Sequence, residues 1–367
     1  MSVRDPIFDR PRPILFAHRG GAGEAPESTR EAFLHAVGVC ADVLEIDLQV
    51  TSDGVIVVWH GPGLKNVYNS SGRLSKQKKY WFFSKKIGDH PWPALEGKAW
   101  VEFPYNRWQK PPVSHQPRKR LLMTFEEFVQ ALPEFDAAKR CKGPVHLNVE
   151  LKETMGGAPR WKGDNSRSSL IWEQLFGLLE TARRPVPDST VTPPQSTASP
   201  TSGQAREILV TSFDLEILQR FRNDPQRTNL PIHSGISIEE QYRPIRKHGK
   251  RWPLLKAYLR HLIGGPRAAL NDAGFQTWWG FVTRDLVEHV HEEQGALHAV
   301  ISRLSWVPGL RGLDRKKNAK LGAELAALKA MGVDGVMTDY PKKLRSQFWP
   351  CSCATPPSGT SASDPVL

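Results

Sequence analysis

Within its first sixty residues the chain lays down a strand, a helix and another strand. That rhythm restricts the folds open to it more than any other feature. Ile14-Leu15-Phe16-Ala17 is a short apolar run that breaks at His18-Arg19-Gly20-Gly21 and reads as a buried strand entering a loop. Ser28-Thr29-Arg30-Glu31 has capping-box spacing, with Ser28 the expected cap, and the helix it starts gathers Ala32, Phe33, Ala36 and Val37 on one face. Val43–Thr51 is the next strand, Asp53-Gly54 a turn, and Val55–His60 a further strand running into Gly61-Pro62-Gly63. Such a succession favours parallel α/β architecture, and 367 residues leave room for one large barrel with additions.

Residues 61–124 depart from that rhythm. They hold the basic-aromatic stretch Lys76–Lys86, a Trp- and Pro-rich loop from His90 to Trp108 and the run Arg118-Lys119-Arg120. This is too long for an ordinary βα loop and predicts a subdomain inserted after the second strand. The helical Phe125–Leu132 and the strands Val145–Lys152, Ile208–Phe213 and Val333–Thr338 resume the pattern. The barrel is expected over 13–347, after an N-terminal extension at 1–12. The Ser/Thr/Pro-rich 185–203 and the small, polar 348–367 are expected to be a disordered linker and tail.

No run reaches the roughly 18 apolar residues of a membrane span, and charges at Arg4, Asp5, Asp9 and Arg10 argue against a signal peptide. Cys40, Cys141, Cys351 and Cys353 lack metal-ligand spacing, which predicts reduced thiols and an intracellular protein, cytoplasmic or peripheral on a membrane. Fifty basic against 38 acidic side chains give a net charge of +12. The basic residues are scattered and no zinc-finger, RNP-type or helix-turn-helix pattern accompanies them, so nucleic acid is not expected as a partner. Arg251–Ile263 places Leu254, Leu255, Tyr258, Leu259 and Leu262 at helical spacing, with Arg251, Lys256 and Arg260 off that stripe. It fits a basic amphipathic helix on an anionic membrane, or equally a barrel helix facing its own core. Tyr80-Trp81-Phe82-Phe83 is open to the same two readings.

Strand alternation sorts the chemistry. In Val43–Val50, Leu44, Ile46, Leu48 and Val50 share one face, and Glu45, Asp47 and Gln49 share the other. Two carboxylates on one face of so apolar a strand need a partner for their charge, and a divalent cation is one. A pair salt-bridged at a strand end is the commoner origin of a lone Glu-x-Asp. In Val145–Lys152 the polar face carries His146, Asn148, Glu150 and Lys152, which describes the lining of a site or an edge strand with one wet face. His18 and His60 each end an apolar strand, where a barrel presents its reaction face. Two imidazoles there can serve as acid and base, and Arg19 adds a permanent cation suited to phosphate.

Taken in order, these motifs resemble the glycerophosphodiester phosphodiesterase family. They are His18-Arg19-Gly20-Gly21, Pro26-Glu27-Ser28-Thr29, Glu45-Ile46-Asp47, Val57-Val58-Trp59-His60, Asn148-Val149-Glu150-Leu151-Lys152, Thr211-Ser212-Phe213 and Gly335-Val336-Met337-Thr338-Asp339-Tyr340-Pro341. Gly20–Glu24 and Thr338–Leu344 are most similar to the eukaryotic, lysophospholipase D-like branch. The resemblance implies a (β/α)8 TIM-type barrel that hydrolyses glycerophosphodiesters or lysophospholipids to glycerol 3-phosphate or lysophosphatidic acid plus an alcohol. It implies a divalent metal, Mg²⁺ or Ca²⁺, on Glu45, Asp47 and Glu150. It also implies an acid/base pair in His18 and His60, and phosphate contacts from Arg19 and Lys152. The chain departs from the family's pattern at Ser28, where Asn is usual, and at Gly61, where Asp is usual. The irregular stretch Val307–Ala319 is a further departure. The alternative reading is therefore a catalytically impaired barrel that binds lipid or protein.

Overall fold

The computed structural model describes residues 7, 13–61, 67–69, 72–73, 86–103, 118–141, 143–156, 165–184, 205–225, 230–235, 274–279, 282–292, 295–301, 315–347 and 349. The strands are, in chain order, β1 (Ile14–Ala17), β2 (Val43–Val50), β3 (Ile56–Val58), β4 (Val67–Asn69), β5 (Gly72–Arg73), β6 (Trp100–Phe103) and β7 (Arg118–Leu121). They continue with β8 (His146–Leu151), β9 (Ile208–Ser212), β10 (Ile232–Gly235), β11 (Gly274–Trp278), β12 (Ala296–Ile301) and β13 (Gly335–Thr338). The helices are α1 (Arg30–Gly38), α2 (Phe125–Ala138), α3 (Asn165–Arg183), α4 (Leu215–Asn223), α5 (Arg284–Glu292), α6 (Arg315–Met331) and α7 (Pro341–Gln347).

Eight strands, β1, β2 and β8 to β13, pair in parallel and close into a ring, because β1 pairs with β2 on one side and β13 on the other. Alternation divides them as the sequence predicts. Leu44, Ile46, Leu48 and Val50 face outward into a core shared with Phe33, Phe128 and Leu175 of α1, α2 and α3. The inward side of the ring begins with an apolar floor of Ile14, Phe16, Val43, Leu209, Ala296 and Met337, and Ile7 from the N-terminal extension is buried in it. Gly335 makes that floor possible, since a Cβ there would lie 2.5 Å from the Phe16 ring.

Three expectations are corrected. Val55–His60 yields β3, which runs antiparallel to β2 and stays outside the ring. Gly54, at φ 98, turns the chain straight back, and so short a turn cannot carry a parallel crossover. Thr29, not Ser28, caps α1, its hydroxyl accepting from the Ala32 N–H at 3.4 Å, because Ser28 has taken a left-handed conformation one residue earlier. Cys40 and Cys141 form a disulfide, with Cα atoms 5.8 Å apart, where free thiols were expected. They follow α1 and α2, which pack through Phe33 and Phe128 with ring centroids 4.8 Å apart. The helix pairing closes a gap of 101 residues that spacing along the chain does not reveal, so the cysteines give no ground for a reducing compartment.

Inside 61–124, β4 to β7 make a separate antiparallel sheet in the order β5-β4-β6-β7. Nearby, Trp59, Ile87, Trp92, Leu95, Val101 and Leu122 form a small apolar core of their own. Asp53 ties the β2–β3 hairpin to this region by accepting the Trp92 N–H at 2.9 Å. Among the described residues no helix is long and apolar enough to cross a membrane. The linker 185–203, Tyr80–Phe83, Arg251–Ile263 and all of 348–367 but Trp349 lie outside the described residues. Trp349, within the expected tail, packs on the core beside Leu344. Of Val307–Ala319, the part from Arg315 on is the first turn of α6.

Candidate active site

The carboxyl ends of β1, β2 and β8 bring the predicted residues together. The turn after β1 does so by adopting unusual backbone geometry. Arg19 sits at φ 54, ψ 33, left-handed for a residue with a long side chain, a conformation that costs on the order of 1 kcal/mol or more. Its N–H donates to Glu45 Oε2 at 2.7 Å, and its carbonyl accepts the Ser28 N–H at 3.0 Å. Gly20 lets this turn press on α1, because a Cβ there would meet Ala32 at 2.8 Å. The guanidinium is thereby aimed inward, with Nη1 donating to Glu27 at 2.8 Å and Nε lying 3.4 Å from Asp47.

Register fixes the acidic cluster. Glu45 stands opposite Asn148, and Asp47 opposite Glu150, so the three carboxylates converge from neighbouring strands. One oxygen of each lies within 4.8 Å of the others, and all three side chains are buried. Lys152, just past β8, places its ammonium 2.7 Å from Asp47 and on Glu150. Burial, with Asp47 and Glu150 close by, raises the Glu45 pKa well above that of an ordinary carboxyl. Burial likewise raises Glu150, and Asp47 adds to the effect. For Asp47 burial acts in the same direction, yet Lys152 and Arg19 outweigh it and hold its pKa down. Burial opposes charge on Lys152 too, but Asp47 and Glu150 overcome it and keep the ammonium protonated.

This donor set fits a hard divalent cation. The ligands are carboxylate oxygens, Glu45 Oε1 is buried with no hydrogen-bond partner, and the charge excess is negative. A cation bound there would be held by Glu45, Asp47 and Glu150.

His18 and His60 face each other across the mouth, ring centroids 6.4 Å apart and planes at 74°. His18 is nearly buried, and its Nδ1 lies 2.5 Å from Asp339 Oδ1. Desolvation and the neighbouring Arg19 lower its pKa well below the usual imidazole value, so it is neutral at pH 7. His60 arrives from β3 rather than from a barrel strand, as its expected place at a matching strand end required. Gln49 explains how it still reaches the site: its amide donates to the carbonyls of Trp59, at 3.0 Å, and Gly61, so the backbone on both sides of His60 is pinned to β2.

Gln49 and Asp339 stand in the sequence motifs without a role that the sequence assigns them. Gln49 shares a face with Glu45 and Asp47, which was the available signal. Asp339 directly follows the last strand, and only ring closure puts that position beside His18. A polar layer continues inside the barrel, where Asn148 Oδ1 accepts from the Thr211 hydroxyl at 3.1 Å and Gln276 Oε1 lies 2.8 Å from His298 Nε2. Burial pushes the His298 pKa down to about 3. The Ser28 hydroxyl is buried without a hydrogen-bond partner.

Fold and site together define a (β/α)8 barrel with a buried carboxylate cluster that could hold a cation and two histidines close to it. Residues 18–177 match the glycerophosphoryl diester phosphodiesterase family. It is 41% identical over 90 residues to a glycerophosphodiester phosphodiesterase of Bacillus altitudinis, 24% of this chain and 36% of that protein. It is 49% identical over 70 residues to lysophospholipase D GDPD3 of Mus musculus, 19% of each. The matches thus span about a third or less of these relatives' lengths. A putative glycerophosphoryl diester phosphodiesterase from Silicibacter pomeroyi shares the fold at TM-score 0.58 and 16% identity, covering 90% of this chain and 92% of the other. So does an Oleispira antarctica phosphodiesterase in complex with the product sn-glycerol-3-phosphate, at TM-score 0.51 and 16% identity over 91% and 96%.

Proposed function

We propose that the protein is a divalent-metal-dependent phosphodiesterase cleaving glycerophosphodiesters or lysophospholipids to glycerol 3-phosphate or lysophosphatidic acid and a free alcohol. The convergence of Glu45, Asp47 and Glu150 within 4.8 Å, beside two facing histidines, is the observation that carries this reading. Mg²⁺ or Ca²⁺, when bound, supplies a Lewis acid for charge on the phosphoryl oxygens. Arg19 and Lys152 bind and orient the phosphodiester, Arg19 with a planar fork and Lys152 with a compact charge. His18 and His60 share the proton transfers, one taking the proton of the attacking hydroxyl and the other supplying one to the leaving oxygen. The eukaryotic likeness favours a lysophospholipase D cut, and the surplus of basic residues supports a peripheral place on anionic membranes.

The test is choline release from lysophosphatidylcholine and glycerophosphocholine with and without Mg²⁺ or Ca²⁺, beside a His18→Ala control. Metal-dependent release, abolished by EDTA and by the substitution, is the expected result. Release of phosphocholine instead would make the enzyme a C-type phosphodiesterase. A folded protein that binds lysolipid without turnover would make it a binding module, the reading to which Gly61 and the unpartnered Ser28 hydroxyl lend support.

A further inference from the structure

Asp339 and His18 stand 321 residues apart in sequence and 2.5 Å apart in space. The contact follows from register: Ala17 pairs with Thr338 across the β1–β13 seam, so the residue after each falls at the same level. Both ends are fixed. The Asp339 carbonyl accepts the Gly23 N–H at 2.8 Å, tying it to the loop that carries His18, and Tyr340 N–H donates to the Thr338 hydroxyl at 3.1 Å. The two side chains are only 9% and 15% exposed, so water offers little competition for the bond. A carboxylate oxygen accepts and does not donate, which places the imidazole proton on Nδ1 and leaves the Nε2 lone pair as the only basic position.

We infer that Asp339 is the positioning residue that makes His18 the proton acceptor of the reaction and leaves His60 the proton donor. The inference rests on the phosphodiesterase reading and adds a division of labour to it. The attacking hydroxyl, of water or of the substrate, gives its proton to His18 Nε2 as the new P–O bond forms. The P–O bond to the alcohol breaks, and the departing oxygen takes a proton from His60. Asp339 keeps its contact with Nδ1 throughout and stabilises the imidazolium that appears on His18.

Two measurements decide it. Imidazole ¹⁵N–¹H correlation spectra of the whole protein report the His18 tautomer without any need for turnover. The Nδ1-protonated form is expected in the wild type, giving way to a mixture in Asp339→Ala. Turnover of glycerophosphocholine in Mg²⁺ then supplies the double-substitution comparison. Asp339→Ala should lower kcat by about 10²–10³-fold with KM little changed. Adding it to His18→Ala should cost nothing further, whereas adding it to His60→Ala should lower kcat again. Asp339→Asn, which keeps the shape, serves if the alanine variant does not fold. An Nε2-protonated His18, or losses from Asp339→Ala and His18→Ala that multiply, would overturn the assignment and leave Asp339 a structural brace. An inactive wild type would bring down the phosphodiesterase reading, while the tautomer would still decide whether His18 is held as inferred.

Discussion

Glu45 concentrates the tension between folding and function. Its side chain is wholly buried, and burial with two acidic neighbours raises its pKa well above 4.5. A carboxyl whose folded pKa exceeds its unfolded value binds more protons in the native state, so its contribution falls as pH rises above the unfolded pKa. Without divalent cation, the wild type should therefore lose stability from about pH 4.5 toward neutrality on account of this group, at up to about 1.4 kcal/mol per pH unit. Glu45→Gln removes the charge at nearly constant shape. In EDTA at pH 7 this variant should melt several degrees above the wild type, while losing most of the rise in Tm that Mg²⁺ or Ca²⁺ gives the parent, as thermal melts at fixed cation concentration would show. His298 works in the opposite direction. Its folded pKa of about 3 lies below the unfolded value of 6.5, so stability from this residue is present above pH 6.5 and is lost as the pH falls. The carboxylates, Arg19 and both histidines were legible in single residues because alternation and strand ends assign them to one face. Arg19's left-handed backbone and the Thr29 cap were not, since both arise from where α1 must sit.

At the scale of elements, the β2–β3 hairpin is the device that delivers His60. Asp53-Gly54 marks a turn in the sequence, and the antiparallel return it dictates keeps β3 out of the ring. A turn so short cannot carry a crossover, so the parallel rhythm stops there. Gln49 holds the hairpin's far end without being placed to touch substrate. Gln49→Ala should leave two backbone carbonyls unpaired and let His60 drift. We expect kcat to fall by roughly tenfold to a hundredfold, with Mg²⁺ affinity by calorimetry nearly unchanged. Equal losses in cation binding would show instead that Gln49 supports the carboxylates. Gly335→Ala tests the floor of the barrel. A Cβ 2.5 Å from the Phe16 ring forces that ring to move, at a cost of about 1–3 kcal/mol in denaturant unfolding.

Across the whole molecule, the disulfide between Cys40 and Cys141 closes a loop of 101 residues that contains β2, β3 and the inserted sheet. Replacing both cysteines by serine should lower stability by about 2–5 kcal/mol under non-reducing conditions, and reductant should lower the wild type by a comparable amount. The barrel class was legible because strand and helix periods alternate, whereas the disulfide and the His18–Asp339 contact depend on ring closure, which no local window contains. That closure also sets a schedule for synthesis. The acidic cluster is complete once Lys152 has left the ribosome, but the partner of His18 follows only with the strand that closes the ring. An unfinished chain therefore holds the three carboxylates without the contact that fixes the His18 imidazole. The imidazole gains its partner only when β13 has paired with β1.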